Sequence, residues 1–301
     1  MITYNHGQFI SDAIEGVLMQ QTSFDYELVV GEDCSTDNTR AILLDYKKKY
    51  PNKIRLLLPE KQLGMMSNFT TTLDACTGDY IALCEGDDYW IDSLKLQKQV
   101  DFLESHYEYV LSFHNAFLVN GKEGKQPTKT FFDYKKDDFM IEDLFKSWLI
   151  PTASVVFRRS ALQTFPDWYL RAPVGDTPLF MILASSGRLK LLESVMSVYR
   201  NHPGGVTKSI NYDFWDKLAV MYDDIDKFFK MRFHKLVLQR KATIYNNLAH
   251  QALMNMDFDH MRRAVKELVK LNFRTKCFTR EYISITIISF FPMLYLRYKG
   301  K

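Results

Sequence analysis

A short apolar segment that ends in a cluster of acids constrains this chain more than any other feature. Residues Tyr80 to Cys84 are rich in strand formers, and Glu85, Asp87 and Asp88 follow directly. Burying these carboxylates without a partner would be costly, because like charges repel each other and lose their water. The segment therefore predicts a strand that carries the acids to the rim of a sheet, where a cation neutralises them. A solvated acidic turn is the alternative that this segment alone leaves open.

The first hundred residues alternate short apolar segments with helical stretches. Strand patterns at 27–30, 53–58 and 80–84 alternate with helical patterns at 38–50 and 66–76. This rhythm indicates right-handed crossovers and a mainly parallel sheet, with a nucleotide site expected at the carboxyl ends of its strands. The predicted fold class is therefore α/β.

The second half of the chain is organised differently. Residues 211–271 are nearly free of Gly and Pro and have helical periodicity, which predicts an α-helical appendage. The apolar segment 282–296 is short for a membrane span and is flanked by bases, which favours an interfacial helix on an anionic lipid surface. A buried C-terminal helix and a true membrane span are the alternatives that stay open.

Composition narrows the class of protein only slightly. The 301 residues are 47% apolar and 25% charged, as in ordinary soluble globular proteins, and the net charge of +3 gives no indication of nucleic acid binding. The four cysteines show neither metal-site spacing nor a secreted framework, which favours a reducing cytoplasm.

Five segments occur in the order found in one enzyme family. They are Thr3-Tyr4-Asn5-His6 with the apolar pairs at 9–10 and 13–14, residues 27–39, residues 78–82 leading to Glu85-Gly86-Asp87-Asp88, Gly175-Asp176-Thr177-Pro178, and Tyr199-Arg200-Asn201-His202. Together they resemble a family 2 glycosyltransferase over residues 1 to about 205. The resemblance implies the GT-A nucleotide-diphospho-sugar transferase fold, a Rossmann-like sheet with flanking helices.

The resemblance also divides the chain. It implies a glycosyltransferase domain at 1–205, with a nucleotide-sugar-binding half at 1–110 and an acceptor half at 111–205. A helical appendage at 206–275 and a basic, apolar, membrane-proximal tail at 276–301 would follow.

The acidic segment resembles the metal-binding DxD region of the family. We expect Asp88 and Asp87 to contact Mn²⁺ or Mg²⁺, with Glu85 binding directly or through water, because oxygen ligands suit hard divalent ions. Glu85 stands where the family usually has Asp, so a solvated strand-end acid is its alternative. His202 would reach the metal or the diphosphate, or would be an ordinary loop histidine.

The nucleotide is expected to contact residues from the first strands. Tyr4 would pack its ring on the nucleobase, unless it is a core tyrosine. By resemblance Asp33 would accept a hydrogen bond from the base, most naturally the ring N–H of uracil. Further predicted contacts are Thr3, Glu32, Asp87, Lys61 and Asn68, with a surface role as the alternative for Lys61 and Asn68.

Asp176 carries the mechanistic prediction. By resemblance it is the base that takes the proton from the acceptor hydroxyl, which is typically worth about 10²–10⁴ in rate. A single displacement without an enzyme nucleophile inverts the anomeric centre. Capping of the following helix is the other interpretation of Asp176, and the two roles are compatible.

The predicted function is an inverting hexosyl- or N-acetylhexosaminyl-transferase. It would move a sugar from a nucleotide-diphosphate sugar, with a UDP-sugar favoured, to a saccharide or lipid-linked acceptor in cell-surface polysaccharide synthesis. The enzyme would be cytoplasmic and peripheral at the inner face of the plasma membrane. Trp148, Trp168 and Arg171 are the predicted acceptor-side residues.

The start of the chain departs from the family pattern. Family members usually have a full apolar strand before the Thr-Tyr-Asn turn, and only Met1-Ile2 precedes it here. We therefore expect a sequence truncated relative to the functional gene product, or an internal methionine read as the start.

Two other functions are weighed. A nucleotidyltransferase would need a Gly-rich, basic phosphate loop after the first strand, which His6-Gly7-Gln8 does not provide. A catalytically inactive binding subunit with the GT-A fold is the runner-up, and loss of donor hydrolysis with retained nucleotide binding would identify it.

Overall fold

The computed structural model describes residues 1–120, 129–162, 164–205 and 210–275, with the side chains of the last four residues left aside. The predicted tail at 276–301 lies outside this part of the chain. The chain forms two compact units, one of Met1–Leu170 with Val174–Lys208 and one of Arg171–Pro173 with Ser209–Lys301.

The first unit begins with alternating strands and helices. These are β1 (Ile2–Thr3), α1 (Ile10–Leu18), β2 (Leu28–Glu32), α2 (Thr39–Lys49), β3 (Ile54–Leu57) and α3 (Met65–Asp74). The three strands are parallel in the order β1-β2-β3, as the alternation predicts. Strand β2 is buried along its whole length, and α1 buries Ile10, Ala13, Ile14 and Val17 on one face, so both sheet and helix contribute to one core.

Helix α3 packs very closely on this sheet. A methyl group on Gly31 would lie 2.0 Å from the Thr72 hydroxyl oxygen and 2.4 Å from the side-chain oxygen of Asn68. The Asn68 amide also donates to the backbone oxygen of Gly31 at 3.0 Å. Glycine is therefore needed in the middle of β2 for the helix to approach.

A second, mixed sheet completes the first unit. Its elements are β4 (Tyr80–Ala82), β5 (Tyr89–Trp90), α4 (Lys95–Ser105), β6 (Tyr109–Asn120), β7 (Asp138–Phe139), α5 (Ile141–Leu144), β8 (Val156–Arg158), α6 (Asp176–Ala184) and β9 (Arg188–Asn201), with 3₁₀ turns at Thr152–Ser154, Arg159–Ala161 and Asp167–Arg171. The strand order is β4-β8-β6-β9-β5, and β7 pairs with β9. The long strands β6 and β9 are parallel, whereas β5 runs antiparallel to β9.

The second unit is helical, as the lack of Gly and Pro predicts. Its helices are α7 (Tyr212–Phe228), α8 (His234–Met254) and α9 (Phe258–Thr275). Helices α8 and α9 share a core that includes Leu248, Ala252, Met261 and Leu268. Within the described residues, no helix combines the length and apolar character required to cross a membrane.

Candidate active site

The acidic segment forms a turn between β4 and β5. The backbone N–H of Gly86 donates to the backbone oxygen of Ile2 at 3.0 Å. A methyl group on Gly86 would lie 2.6 Å from the hydroxyl oxygen of Thr3 and 3.0 Å from Nδ1 of His6. The glycine therefore lets the acidic turn lie directly against the carboxyl end of β1, where the chain pattern places a nucleotide site.

Asp87 lies between two histidines. Its Oδ2 is 3.0 Å from Nε2 of His202 and 3.8 Å from Nε2 of His6. Burial acts to raise the pKa of Asp87, but the interactions with the two histidines, with the hydrogen bond from His202 the largest, outweigh it and lower the pKa. Burial lowers the pKa of His6 itself, which favours a neutral imidazole.

These three side chains have the geometry of a cation site. One ligand atom from each of His6, Asp87 and His202 lies within 4.8 Å of the others. Nδ1 of His6 is also buried without a hydrogen-bond partner among the described residues. Neutral imidazole and carboxylate are common ligands of divalent transition ions, so the residues fit such an ion.

Asp88 points to a different partner. It is 3% exposed, and its Oδ1 accepts a hydrogen bond from the backbone N–H of Arg200 at 2.9 Å. The Arg200 side chain donates to the backbone oxygen of Asp87 at 3.0 Å, pairs with Asp12, and lies over the ring of Tyr89. Burial, with the charges of Asp87 and of the nearby Glu, holds the pKa of Asp88 well above its usual range. The predicted metal contact of Asp88 stays a prediction.

Glu85 is electrostatically coupled to both parts of the site. Burial, followed by the charges of Asp87 and Asp176, raises its pKa to about 8, against a hydrogen bond with the Thr152 side chain. Glu85 thus senses the charges of both Asp87 in the same turn and the predicted base Asp176. A cation at this turn would favour its ionised form.

Asp176 is the first residue of α6 and is held by hydrogen bonds at both oxygens. Nε1 of Trp148 donates to Oδ2 at 2.7 Å, and the backbone N–H of Thr177 donates to Oδ1 at 2.6 Å. Burial nevertheless raises the pKa of Asp176, because these hydrogen bonds offset only part of it. The residue is therefore a helix-start acceptor and also a carboxylate whose pKa is moved toward neutral pH.

The predicted acceptor residues are not equivalent. The Trp148 ring packs edge-on against Phe131 at 5.2 Å between centroids and lies near Tyr199 at 6.3 Å. Trp148 therefore belongs to an aromatic cluster next to Asp176. Trp168 packs on its neighbouring tyrosine. Arg171 belongs to the second unit, is exposed, and pairs with Asp224 at 3.9 Å.

Two predicted nucleotide residues lie at the end of β1. Tyr4 is 39% exposed, so it is not a core tyrosine, and its ring is accessible for stacking. Thr3 is buried, and its hydroxyl has no hydrogen-bond partner among the described residues. The turn that follows has Asn5 in the left-handed region at φ 56°, and its side-chain oxygen accepts from the backbone N–H of Thr36 at 2.8 Å.

The predicted residues after β2 are engaged within the protein. Glu32 accepts from the backbone N–H of Ser35 at 2.5 Å and forms an ion pair with Arg40. The two Asp33 oxygens accept from the backbone N–H groups of Leu63 and Gly64 at 2.6 and 2.9 Å. Each carboxylate oxygen has a second lone pair, so the predicted contact of Asp33 with a base stays a prediction.

The remaining two predicted nucleotide contacts, Asn68 and Lys61, differ in burial. Asn68 is buried and donates to the backbone of β2, whereas Lys61 is exposed. The side chain of Asn68 is thereby committed to holding α3 on the sheet. Lys61 is accessible to solvent and to a ligand.

Sequence reasoning missed His6 and the contact of Trp148 with the carboxylate of Asp176. The only sequence signal for His6 was its position at the end of the Thr3-Tyr4-Asn5 turn. Its proximity to Asp87 and His202 depends on pairing between distant parts of the chain.

The chain is similar to known proteins in sequence and in fold. The chain is 33% identical over 252 residues to the uncharacterized protein Rv1520 of Mycobacterium tuberculosis, covering 81% of this chain and 66% of that protein. It is 33% identical over 178 residues to UDP-Glc:alpha-D-GlcNAc-diphosphoundecaprenol beta-1,3-glucosyltransferase WfgD of Escherichia coli, covering 56% and 66%. The chain thus spans 66% of the length of these curated relatives.

The fold is shared with a solved structure. S. aureus TarS 1-349 in complex with UDP-GlcNAc superposes with a TM-score of 0.58 at 17% identity, covering 93% of this chain and 91% of that chain. The predicted GT-A fold is thereby confirmed. Residues 1–165 match the family described as Glycosyl transferase family 2. More than half of the chain lies within that match, and the chain therefore belongs to glycosyl transferase family 2.

Proposed function

We propose that this protein is an inverting glycosyltransferase that uses a nucleotide-diphosphate sugar. The observation that carries the proposal is the placement of Asp176. It is a buried carboxylate that accepts hydrogen bonds from Trp148 and Thr177. Its charge also helps to raise the pKa of Glu85 in the acidic turn. A base on one side and a cation-binding turn on the other are the two parts that such a transfer needs.

Asp176 acts as the general base in the proposed step. The acceptor hydroxyl oxygen attacks the anomeric carbon of the donor and gives its proton to the Asp176 carboxylate. The bond between the anomeric carbon and the diphosphate oxygen breaks, and its electron pair stays on the diphosphate. Because attack and departure occur on opposite faces in one displacement, the anomeric configuration inverts. Burial raises the pKa of Asp176, which makes the carboxylate a stronger base.

The acidic turn binds the leaving-group side. Asp87 and His202, with Asp88 and Glu85 close by, would hold Mn²⁺ or Mg²⁺. The bound ion supplies electrostatic stabilisation of the diphosphate charge. The close contact of His202 with Asp87 at 3.0 Å supports this assignment.

Two similar proteins support a choice of donor and acceptor classes. WfgD, by its name, uses UDP-Glc and a diphosphoundecaprenol-linked acceptor, and the TarS structure contains UDP-GlcNAc. We therefore favour a UDP-sugar donor and a saccharide or lipid-linked acceptor, in cell-surface polysaccharide synthesis at the cytoplasmic membrane face. The accessible ring of Tyr4 supports stacking with the base.

A donor hydrolysis assay tests the proposal. Purified protein is incubated with Mn²⁺ or Mg²⁺ and a panel of UDP-, GDP- and dTDP-sugars, with and without a diphosphoundecaprenol-linked saccharide, and free nucleoside diphosphate is measured. We expect Asp176→Asn to reduce transfer by about 10²–10⁴. Asp133→Asn, which changes an exposed acid paired with Lys135, is the matched control and should keep full activity.

The outcomes separate the candidate functions. Transfer that needs the cation and Asp176 would support the proposal and identify the donor. Nucleotide binding without any release or transfer, with every donor and acceptor, would favour the catalytically inactive binding subunit instead.

A further inference from the structure

Three side chains of types that bind metal ions, from distant parts of the chain, lie close together at the rim of the sheets. His6 lies in the turn after β1, Asp87 in the acidic turn before β5, and His202 directly after β9. Both histidines approach the same oxygen, Oδ2 of Asp87, with Nε2 at 3.0 Å for His202 and 3.8 Å for His6. An ion with ligands at about 2.1 Å brings adjacent ligand atoms to about 3 Å. His202 already lies at this distance from Asp87, whereas His6 has to move closer.

The surroundings hold these groups in place. The His202 ring is 5% exposed and packs on the ring of Phe9 at 4.6 Å between centroids. The His6 ring stands edge-on to His202 at 6.1 Å. The missing side chain of Gly86 gives His6 its space, because a methyl group there would lie 3.0 Å from Nδ1. The histidines are therefore positioned by packing, as preorganised metal ligands must be.

Two buried polar atoms near this cluster have no hydrogen-bond partner among the described residues. Nδ1 of His6 and the hydroxyl of Thr3 are buried and have no hydrogen-bond partner among those residues. Buried polar atoms without a partner are rare and require an explanation. Nε2 is the His6 nitrogen near Asp87, so an ion bound by Nε2 would leave the proton on Nδ1. The nearby cation Arg200 does not fill this need, because its guanidinium is already held by Asp12 and by the backbone of Asp87.

We propose that His6 is a metal ligand that completes a two-histidine, one-carboxylate site with Asp87 and His202. Such a site binds Mn²⁺, Co²⁺ or Zn²⁺ before any nucleotide arrives and discriminates against Mg²⁺. Imidazole nitrogen suits transition ions, whereas Mg²⁺ demands octahedral oxygen ligands and releases its waters reluctantly. The inference rests on the proposed function only for the role of the ion beside the donor diphosphate.

Metal titration without nucleotide tests the site. The full chain, stripped of metal by a chelator, is titrated with MnCl₂ while free Mn²⁺ is followed by its electron paramagnetic resonance signal. The variants are His6→Gln and His106→Gln, the second being an exposed helix-end histidine that serves as the matched control. We expect the dissociation constant for Mn²⁺ to rise at least about tenfold in His6→Gln and to stay unchanged in His106→Gln. Excess MgCl₂ should displace Mn²⁺ only weakly.

A second measurement needs no substitution and therefore does not depend on the variant folding. Electron spin echo modulation of Mn²⁺ bound to the unaltered protein counts coupled nitrogens, and we expect two histidine nitrogens. A single coupled nitrogen, unchanged Mn²⁺ affinity in a folded His6→Gln, or equal affinity for Mg²⁺ and Mn²⁺ would overturn the inference. Nucleoside diphosphate release is measured separately. Metal binding without turnover would refute the proposed function alone, and turnover with one coupled nitrogen would refute this inference alone.

Discussion

Replacing Trp148 by Phe removes one hydrogen bond from the candidate base while keeping an aromatic ring in place. Nε1 of Trp148 donates to Oδ2 of Asp176 at 2.7 Å, and the Thr177 backbone continues to donate to Oδ1. A phenylalanine ring can keep much of the packing on Phe131 and Tyr199. The substitution therefore changes the charge environment of the carboxylate more than its position.

The size of the effect follows from this one contact. A hydrogen bond to a charged group is worth about 1.5–3 kcal/mol, which corresponds to about 1–2 pKa units. The bond from Trp148 favours the ionised carboxylate, so its loss raises the pKa of Asp176 further in the direction in which burial already moves it. The base is active only when ionised. As the pH falls, Trp148→Phe should therefore lose its activity at a midpoint about 1–2 pH units above that of the unaltered protein.

The assay is the pH dependence of kcat/KM for sugar transfer. Trp215→Phe is the matched control, because its Nε1 also donates to one side chain, Gln251, at 2.7 Å in the helical unit. We expect its profile to match that of the unaltered protein. A Trp148→Phe profile with the original midpoint and a uniformly lower rate would refute the reasoning, since it would mean that Trp148 contacts the acceptor without tuning Asp176.

Three further predictions concern stability and the shape of the site. Burial lowers the pKa of Lys95 to about 7, so between about pH 7 and 10.5 the unfolded chain binds a proton that the folded chain does not. In urea unfolding, the free energy of unfolding of the unaltered protein relative to that of Lys95→Met should therefore rise by about 2 kcal/mol from pH 7 to 9. A difference that does not change with pH would contradict this. Gly86→Ala pushes on Thr3 and His6 and should weaken Mn²⁺ binding about tenfold in the titration above, whereas unchanged affinity would show that the turn can relax. Gly31→Ala places a methyl group 2.0 Å from a hydroxyl oxygen of α3 and should cost about 1–3 kcal/mol in urea unfolding, a result that an unaltered midpoint would exclude.

The parts of the fold that local patterns determine could be predicted from the sequence. The helix predicted at 38–50 is found as Thr39–Lys49, and the one predicted at 66–76 as Met65–Asp74. The strand predicted at 53–58 is found as Ile54–Leu57. These elements have a clear apolar period between turn residues, so each forms where its own sequence indicates. The strand predicted at 80–84 is found as Tyr80–Ala82, and the acids follow it.

The contacts within the site could not be predicted, because they join distant parts of the chain. His202 and Asp87 are 115 residues apart, and Asp88 and Arg200 are 112 apart. Nothing in the residues around His6 distinguishes a metal ligand from an ordinary loop histidine. The engagement of Asp33 by the backbone of Leu63 and Gly64 depends on how one loop folds back onto β2, which no periodic pattern describes.

The register between β5 and β9 accounts for which acid meets which partner. Tyr89 pairs with Val198 and Trp90 with Ser197 in antiparallel register. Continuing that register to the residues before β5 brings the acidic turn alongside the last residues of β9, where the backbone N–H of Arg200 donates to Asp88. Successive side chains on a strand point to opposite faces, so a slip by one residue would turn the Asp88 side chain away from the backbone N–H of Arg200. The site therefore depends on a strand pairing of two residues, which the Trp90 indole reinforces by donating to the backbone oxygen of Ala153 at 2.8 Å.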